Sequence, residues 1–447
     1  MQRITEINAF VNNIVWGKYT LVILLGVGIF FTVKLRFFPV VHFGTWWKNT
    51  AMSFSKSKKS SAGEKISPFQ AVATALAGSI GTGNIVGVAN AIALGGAGAV
   101  FWMWVAAFFG MSTVFAENVL GMKYRIKKNG KYVGGPMYYI ERGMKCKWLA
   151  VIFAVFCTLA AFGMGNMTQS NSVSGALENF GISPKISGMI LAVLVGGIIF
   201  GGIDRISKLT EKLVPFMAVI YTIAVLIVIG VNFREIPNAF KEIFEQAFDL
   251  KSVAGGFMGY GMSRAVKYGI SRGVFSNEAG LGSSPIVHSA SDSDEPYQQG
   301  MWGIFQVFVD TIVMCTLMAL CILTTKADKT GLDGIELSTY SFESVLGIVG
   351  NIFISLSIVM FAFATLVSWS YYGERSFEYL TNGKYIKIYR VIYAVVVYIG
   401  CIMEITLVWE ISDTFNGLMA IPNLTAIIFL SGEVSYRELS DKILSKR

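Results

Sequence analysis

The stretch ALAGSIGTGNIVG, residues 75–87, decides how this chain is read. It sits inside an apolar run, 68–93, that is long enough to cross a bilayer as a helix. Yet Gly78, Gly81, Gly83 and Gly87 crowd its middle, together with Thr82 and Asn84. Glycine costs about 1 kcal/mol in a helix interior. Backbone groups left unpaired in lipid cost several kcal/mol each. Such a sequence persists only where broken backbone faces protein or a cavity. A second stretch, RGVFSNEAGLGSSP at 272–285, repeats the pattern with Gly273, Gly280, Gly282 and Pro285.

Outward from these two stretches, eleven apolar runs are predicted to span a membrane: 14–33, 68–93, 98–121, 148–172, 183–202, 212–231, 268–290, 299–324, 349–372, 388–406 and 411–431. The composition agrees: 54% of the 447 residues are apolar, only 15% are charged, and mean hydropathy is +0.58. A soluble domain carries about 25% charged residues. The net charge of +9 flanks apolar segments instead of forming an aromatic-rich basic face, which excludes nucleic acid as a partner. Cys146, Cys157, Cys315, Cys321 and Cys401 have no paired spacing and read as small buried apolar residues. Two histidines make a histidine-based metal site untenable. The start, MQRITEINAF, lacks the pattern of a cleaved signal peptide.

With the N-terminus outside and the C-terminus in the cytoplasm, 26 of the 37 Lys and Arg fall on inner segments and 10 on outer ones. That asymmetry favours this orientation in the cell membrane. The first run, within 1–34, is an extra helix ahead of a ten-helix unit. A basic cytoplasmic loop, 35–67, follows it. The unit divides into fives, 68–231 and 268–431, joined by an extracellular amphipathic connector, 232–267, and followed by a cytoplasmic tail, 432–447. Two five-helix halves in series have opposite orientations, which is an inverted repeat. The first helix of each half carries the interruption. Helices 1 and 6 of the unit are therefore predicted to unwind near 79–84 and 273–282, and to meet at mid-membrane. Paired interruptions of this kind point to a transport site. The plainer reading, glycines for close helix packing, suits Gly196, Gly197, Gly201 and Gly202. It explains Asn84, Ser276, Asn277 and Glu278 poorly.

A zwitterion suits such a site. Amides of Thr82 and Gly83 at an unwound half-helix N-terminus can hold a carboxylate without a cationic side chain. The alternative for Thr82 is a hydroxyl bonded back to its own helix. Carbonyls near Gly273, Val274 and Phe275, and the side chain of Gln169 in GMGNMTQSNS (163–172), are acceptors for an ammonium. Phe275 and Trp369 suit an apolar wall, or ordinary packing. Charges within spans are functional candidates. Asp310 and Glu117 are candidates for gating or coupling, as are Asn84 and Asn277. For Asp310 a structural interhelical bond competes with ion coupling. Arg272 has a carboxylate partner that the sequence does not name.

The segments GSIGTGNIVGVANAIALGGAGAVFWMW (78–104), GGPMYYIERG (134–143), KLTEKLVPFMAVIY (208–221) and SNEAGLGSSPIVHSA (276–290) resemble the alanine or glycine:cation symporters, also called the sodium:alanine symporters. The similarity runs through nearly the whole chain. It implies an all-α, leucine-transporter-like inverted-repeat fold and sodium- or proton-driven uptake of alanine, glycine or a close analogue. It favours Gln169 as a substrate contact. In that fold a sodium site joins the helix 1 break to helix 8. By position the carbonyls of Ala77 and Ile80 face the hydroxyls of Thr365 and Ser368, which are three residues apart and share a helical face. No cofactor is expected beyond sodium as coupling ion. The partners expected are alanine or glycine, sodium and membrane lipid. A channel would repeat one pore motif around an axis. An intramembrane enzyme would carry HExxH or a metal cluster, and neither occurs.

Overall fold

The first interruption breaks its helix. In the computed structural model, helix Pro68–Ser79 stops, a single tight turn covers Thr82–Asn84, and helix Val86–Gly95 resumes. The two arms meet at 57°. The structure describes residues 8, 10–12, 14–53, 66–128, 130–248, 258–403 and 405–444. Parts of the basic loop (54–65) and of the connector (249–257), and both extreme termini, lie outside the described residues.

The start of the first arm is fixed locally. Ser67 Oγ accepts from the Gln70 N–H at 3.1 Å, and Gln70 Oε1 accepts from the Ser67 N–H at 3.1 Å. Pro68 follows at the first helical position. This reciprocal cap satisfies N–H groups that a helix start leaves unpaired.

The second interruption lies further along than the sequence suggests. Helix Met258–Asn277 runs through Gly273, Val274 and Phe275, and only then breaks. Glu278, Gly280 and Gly282 take φ of +60°, +88° and +78° before helix Ser284–His288 begins. The expected unwinding near 273–282 is thus corrected to 278–283. Gly273 is a packing glycine: a Cβ there would meet Met103 Cα at 3.3 Å.

Six described helices are long and apolar enough to cross a membrane, and the bent pair makes a seventh span. They are Gly98–Lys123, Lys147–Glu178, Gly202–Val231, Pro296–Thr324, Ile348–Thr381 and Ser412–Glu433. Shorter helices, Lys18–Lys34, Pro184–Ile199 and Ile386–Ile402, stand at three more predicted runs. Glycines bring neighbours close, as expected where lipid offers no hydrophobic drive for association. A Cβ on Gly28 would lie 2.7 Å from Phe109 Cβ, and one on Gly300 would lie 2.8 Å from the Phe115 ring.

Three other expectations change. The chain is mostly helical, not all-α: Ile126–Lys128 and Lys131–Val133 pair as an antiparallel hairpin, Ile126 opposite Val133. The stretch 203–211, between the predicted runs 183–202 and 212–231, is the start of helix Gly202–Val231, and the turn before it is made by Gly202 at φ +64°. Part of 35–67 also folds, as helices Phe38–Val41 and Phe43–Asn49.

Gly269→Val should destabilise the protein. Its Cβ would fall 2.6 Å from Trp102 Cβ and crowd the Ala99 carbonyl, and overpacking of this kind costs about 1–3 kcal/mol. Gly197→Ala, with no neighbour within 4 Å, should leave the midpoint unchanged or slightly raised. Thermal melts of both variants in detergent check this; equal midpoints would refute the packing account.

Candidate functional site

Four backbone irregularities converge. Two are the helix breaks. The others are π-helical turns, at Gly163–Met167 and Phe308–Cys315. Inserted turns of this type occur often at functional sites. The first leads into Gln169, and the second carries Asp310.

At the first break, Gln169 Oε1 accepts from the Thr82 hydroxyl at 3.0 Å and, more loosely, from the Thr82 N–H at 3.4 Å. Gln169 Nε2 donates to the Met164 carbonyl at 3.2 Å. The Thr82 hydroxyl therefore points away from its own helix, to the oxygen of another. Asn84 closes the break itself: its Oδ1 accepts from the Gly81 N–H at 3.1 Å. Gly83 lies against the second broken helix, where a Cβ would meet Ser276 Cα at 3.3 Å and the Phe275 ring at 3.5 Å. Phe275 thus walls this region, with the Arg272 guanidinium 5.6 Å from its ring centre. Arg272 itself pairs with Asp413, at 3.0 and 3.3 Å, which supplies the carboxylate partner the sequence left open.

Asp310 is fully buried. It accepts from Asn84 Nδ2 at 2.8 Å, Ser276 Oγ at 2.9 Å and Thr311 Oγ1 at 2.7 Å. Asn84 also donates to the Asp310 carbonyl at 3.0 Å. Asn277 joins through Thr311 Oγ1 at 3.1 Å. Both broken helices are thereby tied to one carboxylate.

On the other side, Thr365 Oγ1 donates to the Ala77 carbonyl at 2.9 Å. Ser368 Oγ donates to the Thr74 carbonyl at 2.6 Å, one turn earlier than the expected partner. Thr74 had not been singled out. The Ile80 carbonyl stands at the end of the same arm, where the helix stops.

Trp369 donates through Nε1 to Glu278 Oε1 at 2.8 Å, and Ser283 Oγ binds the other oxygen of Glu278. A Cβ on Gly165 would overlap Trp369. Trp369 therefore braces the second break against the first π turn. Glu117 lies beyond this, held by Asn423, whose Nδ2 also donates to the Gly280 carbonyl at 2.9 Å. Sequence reasoning missed Ser276, Thr311 and Asn423 as partners of these carboxylates. The polar SNE in an apolar context was the available signal for the first; Thr311 and Asn423 carry none.

Broken spans that share one buried polar cluster, set in a bundle of apolar helices, define a membrane transporter. The sodium:alanine symporter family model matches residues 1–441. The chain is 46% identical to the sodium/alanine symporter AgcS of Methanococcus maripaludis, over 95% of this chain and 94% of that one. It is 38% identical to the putative sodium/proton-dependent alanine carrier protein YrbD of Bacillus subtilis, over 95% and 89%. The probable sodium/glutamine symporter GlnT of Bacillus subtilis is 39% identical, over 100% and 92%. A solved structure of MhsT in complex with L-phenylalanine superposes with a TM-score of 0.63 at 14% identity, over 83% of this chain and 90% of that one, a likeness of fold. The chain belongs to the sodium:alanine symporter family, and is a multi-pass, cation-coupled amino-acid symporter.

Gly83→Val should abolish transport while the protein still inserts and folds, because the branched side chain meets Ser276 and Phe275 where the broken helices touch. Thr82→Ala removes one hydroxyl bond, of about 0.5–3 kcal/mol, and should weaken apparent affinity from a few-fold to roughly a hundredfold. Uptake and size-exclusion profiles of both variants check this. Normal uptake by Gly83→Val would refute the assignment.

Proposed function

We propose that this protein takes up a small neutral amino acid, alanine or glycine, together with sodium, by alternating access. The observation that carries the reading is the Gln169 oxygen resting on the Thr82 N–H and hydroxyl. An amide oxygen there stands where one oxygen of a substrate carboxylate would bind. A carboxylate is the stronger acceptor, since charge-assisted bonds are roughly twice as strong as neutral ones. Its arrival would release Gln169 Oε1, which is then an acceptor for the substrate ammonium. Phe275, against Gly83, limits side-chain size. Trp369, over Gly165, extends that wall. Gly273 and its carbonyl are left to helix packing.

Sodium prefers oxygen ligands. The Ala77 carbonyl and the Thr365 and Ser368 hydroxyls are grouped between the first broken helix and helix Ile348–Thr381, with the Ile80 carbonyl at the end of the arm. Each hydroxyl now donates to a carbonyl. With sodium present, the O–H would turn away and the oxygen lone pair would face the ion. The ion would then draw the two helices together, which couples its binding to closure of the substrate site. Proton coupling is the second reading, favoured by Asp310, a buried carboxylate tied to both breaks.

The architecture proposed with this mechanism is eleven spans in a 5+5 inverted repeat behind one extra helix, with the N-terminus outside. The division into 1–34, 35–67, 68–231, 232–267, 268–431 and 432–447 belongs to the same proposal. The charge asymmetry of the loops and the fold likeness support it.

Labelled alanine and glycine uptake into proteoliposomes, with sodium and proton gradients imposed separately, tests the reading. A sodium gradient alone should drive uptake, and Thr365→Ala/Ser368→Ala should weaken sodium activation more than substrate selectivity. Alanine amide should not compete. One net charge moved per cycle gains about 2.3 kcal/mol per 100 mV, so uptake should follow an imposed potential. Competition by alanine amide at alanine's affinity would overturn the carboxylate assignment. Uptake driven only by a proton gradient would move the coupling to Asp310.

A further inference from the structure

On the face that carries the basic loops, four elements surround an open cavity of about 330 Å³. They are the strand Ile126–Lys128, the helix Pro136–Arg142, the start of helix Lys147–Phe162 and the end of helix Ile348–Thr381. Three cations line it, Lys128, Arg142 and Lys147, against two carboxylates, Glu141 and Glu378. The carboxylates are already engaged. Glu378 holds Lys128 at 3.0 Å and Arg375 at 2.5 Å, and Glu141 accepts from the Tyr379 hydroxyl at 2.9 Å. Arg142 and Lys147 are exposed at the cavity. Lys147 also opens its helix, where the macrodipole adds positive potential.

The cavity is continuous with an apolar face. Val151 lines it and belongs to a stripe with Trp148, Ile152, Val155 and Leu159, all exposed. These positions lie 3, 4, 7 and 11 residues beyond Trp148, one face of a helix. Trp148 stands at the end of that helix, at the level where tryptophan marks the membrane interface. The stripe is the lipid-facing side of a spanning helix, so the cations stand where lipid headgroups and acyl chains meet. A molecule with an anionic head and apolar chains would use both cations and stripe.

We propose that this cavity binds the headgroup of an anionic phospholipid, its phosphate between Arg142 and Lys147 and an acyl chain along Val151, Val155 and Leu159. The site is separate from the helix breaks, and the inference stands whichever amino acid or cation is transported.

The full-length protein, purified in detergent, would be titrated with phosphatidylglycerol or phosphatidylcholine while its thermal midpoint is followed. Phosphatidylglycerol should raise the midpoint at concentrations where phosphatidylcholine does not. Arg142→Ala/Lys147→Ala should shift the half-saturating concentration upward by roughly thirtyfold, the combined effect of two surface cations on anionic lipid. Arg142→Lys/Lys147→Arg should restore it. Screening in about 0.5 M salt should weaken the response, because charges then act over only a few ångströms. Equal responses to the two lipids, or a double alanine variant that titrates like the unmodified protein, would overturn the proposal. So would saturation by glycerol 3-phosphate at the phosphatidylglycerol concentration, which would make the ligand a soluble phosphate.

Discussion

A backbone N–H or C=O at membrane depth must find a partner inside the protein, and the site of this symporter is arranged around that demand. Breaking helix Pro68–Ser79 at its end frees peptide groups from the helical ladder. Asn84 answers from within the break: its carbonyl oxygen takes the Gly81 N–H, and its amide nitrogen reaches Asp310. One side chain thus repairs the first break and fastens it to the helix that carries the carboxylate. The π turn at Phe308–Cys315 makes this possible, since the same Asn84 nitrogen also binds the Asp310 backbone carbonyl. Irregularity in one helix is matched by irregularity in its neighbour.

The second break is braced differently. Asn277 Oδ1 accepts from the Ala279 N–H at 3.0 Å, and the remaining partners come from other elements. Glu278, at φ +60°, is held by Ser283 and Trp369, and the Gly280 carbonyl is taken by Asn423 from helix Ile405–Phe429. Both broken helices are therefore tied to the helix of Asp310, and the second break is stapled in addition to helices Ile348–Thr381 and Ile405–Phe429. Between the two, Gly83 lies close against Ser276 and Phe275. A change in what fills that contact moves both broken helices at once. Side-chain bonds of about 1 kcal/mol each are weak enough to exchange for bonds to a ligand.

Much of this was legible in sequence, for a physical reason. Polar residues and glycines inside an apolar run are so unfavourable in lipid that their presence alone marks a break. The first break fell where expected, at Ile80–Ile85, because Gly81 and Gly83 alternate with the polar Thr82 and Asn84. The second was read too early because Gly273 carries the same signal as a break glycine, yet it serves close packing against Met103. Residue type does not separate those uses; only the neighbouring helix does. The π turns left no signal, because an inserted residue changes hydrogen-bond register without changing composition. Asp204 and Arg205 fall just past the predicted run 183–202, because charge clusters usually mark the end of a span. Here they begin a long helix at the interface, after the turn at Gly202. The partner of Arg272, Asp413, lies 141 residues away, beyond what spacing reveals.

The carboxylates divide by what they touch. Asp310 contacts both broken helices directly, through Asn84 and Ser276. Glu117 reaches only the far arm of the second break, through Asn423 and Gly280. A change of charge on Asp310 would act on the contact between the breaks, whereas one on Glu117 would act on the loop behind it. Neither stands beside a cationic side chain among the hydrogen bonds and ion pairs described. Their oxygens are bound by amides and hydroxyls, groups that bind a carboxylate more strongly than a neutral acid. A cation entering near Asp310 would meet its carboxylate and the hydroxyls of Ser276 and Thr311, oxygens gathered from two helices. The chemistry that stabilises the buried acid is therefore the chemistry that would let it sense an ion, and the structural and coupling roles proposed for Asp310 are two aspects of one arrangement.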